Sequence, residues 1–113
     1  MKITQIPYCT VNWSEIEPVK HLGETGYALW RTQTFGPEDN PICVHMAEYS
    51  PGYAADHWCD KGHILLVLQG ELTTELTDGR IFTLSAGMSY QVADNYEAHR
   101  SRTKTGATLF IVD

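Results

Sequence analysis

From Ile42 to Val112 the chain is a string of short segments, apolar or alternating, each closed by a turn signal, with no helical period between them. The series opens after Gly36-Pro37-Glu38-Asp39-Asn40-Pro41, a cluster that breaks helices and strands alike. Ile42, Val44 and Met46 then alternate with Cys43, His45 and Ala47 until Ser50-Pro51-Gly52 stops the run. Ile64 to Leu68 is continuously apolar, the mark of a strand covered on both faces, and Gln69-Gly70 reads as its end. Glu71 to Thr77 alternates again, and Asp78-Gly79 predicts a hairpin, because both central residues can take positive φ. Arg80 to Leu84, Met88 to Val92 and Thr108 to Val112 complete the set, with turns at Ala86-Gly87 and Asp94-Asn95. So many short strands predict an antiparallel sandwich or small barrel, and the lack of long helices between them excludes a doubly wound sheet.

Ahead of the breaker cluster, Lys2 to Ile6 reads as a strand-like arm and Tyr27 to Phe35 as an extended stretch. Ser14 with Glu17 has the spacing of a helix capping box, but Pro18 limits it to one short turn. Trp13 and Trp30 read as aromatic packing of this segment, and His21 as solvated. No repeat, low-complexity tract or linker divides the 113 residues. One domain over 1–113 is expected, with the N-terminal arm and strands in 1–40 and the barrel in 42–112.

Composition narrows the partners. Hydrophobic residues at 42% against charged residues at 19% allow a real core and exclude disorder. A net charge of -6 repels phosphate backbones and anionic lipid, so neither nucleic acid nor a membrane surface is an expected partner. No window reaches the roughly 18 apolar residues of a membrane span, and Met1 to Thr10 lacks a secretory apolar core. The 3 scattered cysteines, Cys9, Cys43 and Cys59, suit reduced thiols and a cytoplasmic location.

The chemistry gathers between Gly52 and His63. On an extended strand His57 and Cys59 leave the same face. Gly62 lets the chain turn sharply before His63 begins the apolar strand. His99 lies beyond two further hairpins, and antiparallel pairing brings such distant strands together. Imidazole and thiolate suit zinc, iron, nickel or copper, and not magnesium or calcium. The plainer reading is that each histidine is hydrogen-bonded in its strand and each cysteine is a small buried hydrophobe. His45, Cys43 and Tyr49 share a strand face, which either extends a polar cavity or lies under the N-terminal arm. Tyr90 is either a cavity phenol or an ordinary strand aromatic. If His63, Leu65 and Val67 face the interior, Ile64, Leu66 and Leu68 face outwards and require a second sheet or a second subunit; a homodimer is expected. Asp56 points away from His57 and is expected to cap its loop, Asp60 to be solvated, and Trp58 to pack over a sheet or in a dimer contact. Arg100 and Arg102 either steer an anionic ligand or are ordinary surface arginines.

Gly52, His57, Cys59, His63 and Gly70 together resemble the first motif of the cupins, small antiparallel β-barrels of jelly-roll type, with Cys59 in a usual His position and His63 in the Glu position. Gly87 to His99 resembles the second cupin motif, one residue longer and with Ala93 where Pro is common. Asp56-His57-Trp58-Cys59 followed by Lys61-Gly62-His63 is similar to the DHCW-motif cupin group. The resemblance implies an all-β double-stranded β-helix in which His57, Cys59, His63 and His99 converge on one divalent metal ion, zinc first and then iron or nickel. On that reading a small-molecule ligand is expected in a barrel pocket lined by Tyr90, Leu65 and Val67, which His45 extends if its strand face turns inward. With Cys59 on the metal the four donors make a closed site; without it, three histidines leave a position for water or substrate. The competing expectation is a structural or ligand-binding dimer module that holds no metal. Whether the protein is an enzyme is left open, since one fold hosts many chemistries.

Overall fold

Alternating apolar residues make eight antiparallel strands in the computed structural model, which describes residues 2–113. They are β1 (Val19–Leu22), β2 (Tyr27–Phe35), β3 (Ile42–Tyr49), β4 (His63–Leu76), β5 (Ile81–Ser85), β6 (Ser89–Val92), β7 (His99–Arg102) and β8 (Ala107–Val112). One sheet runs β1-β2-β3-β8-β4-β6, and the other sets β5 and β7 on either side of β4. The fold is an all-β jelly roll in which β4 belongs to both sheets. Among the described residues no helix is long and apolar enough to cross a membrane.

The double membership of β4 corrects the sequence reading. Gln69-Gly70 does not end one strand and begin another. Instead the ladder with β8 shifts register between Val67 and Gln69, and Gly70 takes φ 79°. A Cβ at Gly70 would stand 2.0 Å from the Gly106 carbonyl oxygen, so only glycine fits where the strand turns from one sheet into the next. His63 to Gly70 pairs with β8 and β6, and Glu71 to Leu76 with β5 and β7.

Other readings also change. Lys2 to Ile6 forms no strand. Past the 3₁₀ turn that follows it, Ile16 lies beside β2, where Arg31 donates from Nε to the Ile16 carbonyl at 2.9 Å. The single helical turn is the 3₁₀ segment Trp13–Glu15, capped by Asn12 rather than Ser14, since the Asn12 side chain accepts from the Ser14 N–H at 3.2 Å. At the β4–β5 hairpin only Gly79 takes positive φ, at 93°. Asp78 instead uses its carboxylate to accept from the Arg80 N–H at 3.1 Å.

The core lies between the sheets and comprises Ala47, Leu65, Val67, Leu72, Leu84, Ala107, Leu109 and Ile111. Every second residue of β8 is buried, as the period of two requires. Leu72, Leu109 and Val67 are fully enclosed, each worth roughly 1.5–3 kcal/mol of burial. On the outer face of β4, Ile64 is 47% and Leu68 41% exposed.

Candidate metal centre

Three chain segments meet where the two sheets come together. Cys59 and His99 exchange both backbone hydrogen bonds, Cys59 N–H to His99 C=O at 2.7 Å and His99 N–H to Cys59 C=O at 3.0 Å. Their side chains therefore start from directly opposed backbone positions. His63, the first residue of β4, comes from the other sheet, its ring centroid 4.9 Å from that of His99 at 83° between planes. One donor atom from each of Cys59, His63 and His99 falls within 4.8 Å of the others. Zinc-type bond lengths ask for donor separations of roughly 3.3–3.6 Å, within reach of side-chain rotation.

The histidines are prepared by their surroundings. His99 is buried, and its Nδ1 stands 3.0 Å from the Glu97 carbonyl, which only accepts, so Nδ1 carries the proton. That leaves Nε2 with its lone pair, buried and without a hydrogen-bond partner among the described residues. Partners that fix the tautomer in this way are typical of metal-binding imidazoles. Burial, and then the neighbouring His99 ring, push the His63 pKa down to about 4, so His63 is neutral at physiological pH. Its Nε2 lies 2.7 Å from the Tyr90 hydroxyl. Burial raises the Tyr90 pKa well above the usual phenol range and keeps that hydroxyl protonated. When His63 Nε2 donates to the tyrosine oxygen, Nδ1 keeps its lone pair for a cation.

The structure does not bring His57 into this group. Residues 56 and 57 form a bend, so the alternation that would put His57 and Cys59 on one face does not operate. The His57 side chain is 75% exposed at the cavity mouth, and Asp56 Oδ1 accepts from its Nδ1 at 2.7 Å. That bond holds the Asp56 carboxyl below the usual carboxylate range.

The donors open onto a cavity of about 310 Å³. Tyr90, His45 and Leu65 line it, but Val67 is fully enclosed in the core and does not. Cys43 does not line it either; its sulfur lies 3.5 Å from Thr34 Oγ1. Trp30, expected to pack the N-terminal segment, instead reaches the cavity, edge-on to His45 with centroids 5.3 Å apart. Trp58 lies under the Arg100 guanidinium at 4.4 Å. Arg100 and Arg102 both pair with Glu75, at 3.5 and 3.4 Å, and only Arg100 borders the cavity. The sequence reading missed Lys61 and Asp113. Asp113 was legible, because it continues the inward alternation Leu109, Ile111 of β8. Lys61 sits in a loop where no period applies.

No protein-family model and no curated protein matches the sequence. Solved structures do match in shape. An RmlC-like cupin from Shewanella frigidimarina superposes with a TM-score of 0.69 at 20% identity, over 96% of this chain and 92% of its own. A predicted oxalate decarboxylase from Thermotoga maritima gives 0.72 at 18% identity, over 92% and 96%. The iron(II) form of HppE with the alternative substrate (S)-1-HPP gives 0.73 at 14% identity, over 94% of this chain and 60% of that one. At such identities the likeness is one of fold, and that fold is the cupin jelly roll.

Proposed function

We propose that this chain binds one divalent transition-metal ion through Cys59, His63 and His99, and acts on or senses a small molecule in the adjoining cavity. The observation that carries the reading is His99 Nε2, a buried nitrogen whose tautomer is set and whose lone pair meets no partner among the described residues. An unpaired buried polar atom costs about 1–3 kcal/mol, and a cation bound there removes that cost. Two imidazoles and a thiol favour zinc first and iron or nickel next. The iron(II) of the fold neighbour HppE supports keeping iron in the set. When bound, the ion supplies Lewis acidity. The chain's own part is to hold three donors, keep the Tyr90 hydroxyl protonated beside His63, and line the approach with Trp30, Leu65 and Ile111. Three protein donors is the number found in open rather than closed zinc sites, which leaves a position for a small ligand.

Elemental analysis after reconstitution with zinc, iron and nickel tests the reading, with cobalt substitution to report thiolate charge transfer. Cys59→Ser and His99→Gln each weaken metal binding by about tenfold or more, and His57→Ala leaves it nearly unchanged. No bound metal after reconstitution removes the proposal.

On separate grounds we propose that a second copy of this chain covers the outer face of β4. Ile64 and Leu68 stand exposed there on a strand at the centre of its sheet.

A further inference from the structure

The wall beside the donor group carries polar groups that the metal reading does not use. His45 pairs across the ladder with Ile111, and Ile111 with Leu65. One step on, the Asp113 backbone pairs in both directions with Cys43, at 2.7 and 2.9 Å, which fixes where the Asp113 side chain enters the cavity. His45 Nε2 is 3.3 Å from Asp113 Oδ2, and the carboxylate only accepts, so Nε2 carries the proton. His45 Nδ1 then accepts from the Thr32 hydroxyl at 2.8 Å. Both ring nitrogens and Oδ2 are thereby engaged. Asp113 Oδ1 is not: it is buried and has no hydrogen-bond partner among the described residues. Lys61 Nζ stands 3.4 Å from Oδ1, close enough for charge attraction but outside hydrogen-bond geometry. The Lys61 side chain is 60% exposed and reaches in from solvent, whereas Asp113 is 9% exposed.

We propose that Asp113, held by His45, binds the primary ammonium group of a small, largely apolar ligand, and that Lys61 stands in for that group in the free protein. An anionic pole with a spare acceptor selects donors and repels carboxylates. An ammonium offers three donors and the opposite charge, so it satisfies Oδ1 where Lys61 does not. Trp30, Leu65 and Ile111 give the ligand's body apolar contact, and about 310 Å³ lies at the small end of ligand pockets. The assignment uses the same cavity as the metal reading but needs no metal, so either can fail without the other.

The test is a titration of metal-free protein with n-butylammonium, n-butanol and butyrate, followed by NMR at the Trp30 indole, which lies against His45. Butylammonium is expected to bind about tenfold tighter than either of the others. Asp113→Asn removes that preference, and Lys61→Met, which deletes the competing cation, tightens butylammonium binding. Equal binding of butanol or butyrate, or no shift with any of the three, overturns the proposal, as does an unchanged preference in Asp113→Asn. Should Asp113→Asn fail to fold, the probe series and Lys61→Met decide alone: butylammonium binding that Lys61→Met leaves unchanged or weakens also overturns it.

Discussion

His63 begins a strand, contributes to the donor group and is kept neutral by burial, so its protonation links the site to stability. Its folded pKa, about 4, lies below the unfolded value near 6.5. The folded state therefore resists a proton that the unfolded chain accepts. The stability tied to this group is full above about pH 6.5 and is lost as pH falls towards 4. Urea midpoints of metal-free protein are expected to drop over that interval, and His63→Gln flattens the slope; an equal slope in the variant removes His63 as the cause. Tyr90 acts on the same ring through its 2.7 Å hydrogen bond. Tyr90→Phe is expected to fold normally and to lower metal affinity by about tenfold, read by competition with a chelator.

At the scale of elements, two glycines with similar backbone angles differ in what surrounds them. Gly70 (φ 79°) has the Gly106 carbonyl oxygen 2.0 Å from where a Cβ would sit, whereas Gly79 (φ 93°) has nothing within 4 Å. Gly79→Ala meets only the left-handed backbone cost, about 1–2 kcal/mol. Gly70→Ala also forces apart the β4 and β8 corner and is expected to lose about 2–4 kcal/mol in urea unfolding. The same contrast shows what the sequence could tell. Asp78-Gly79 was legible as a hairpin from its turn residues, whereas Gln69-Gly70 read as a strand end and only tertiary pairing makes it a bend inside a single strand. β8, an apolar run, was legible and is buried at every second residue with the pleat, and β3 was legible from its alternating sequence although its burial does not alternate. β1 is exposed along its whole length and β7 is His-Arg-Ser-Arg, so neither carries a hydrophobic signal. Cys59, His63 and His99 were legible as candidates by residue type and motif. His57 was misplaced because the parity rule assumes an extended backbone, and residues 56 and 57 bend.

The donor group has a consequence for the whole molecule because of where its members sit. His63 lies on the sheet shared with β8, His99 on the sheet shared with the later half of β4, and Cys59 on the connection before β4. An ion held by all three ties both sheets to that connection. Since the unfolded chain does not preserve such a site, binding free energy adds to folding free energy, by about 2.7 kcal/mol when free metal is a hundred times Kd. For a chain of 113 residues that is a rise of roughly 10 °C in Tm. Calorimetry with and without zinc is expected to show it, and EDTA to reverse it. His99→Gln abolishes the rise, and His57→Ala keeps it. The proposed contact with a second copy is separable from this effect. Sedimentation equilibrium of the wild type is expected to give twice 12.7 kDa, and Ile64→Lys, which places a charge on the outer face of β4, to give 12.7 kDa. If the zinc-induced rise persists in that monomer, the ion acts within one chain, as the placement of its three donors on a single barrel requires; a rise that vanishes with the dimer assigns the effect to the subunit contact instead.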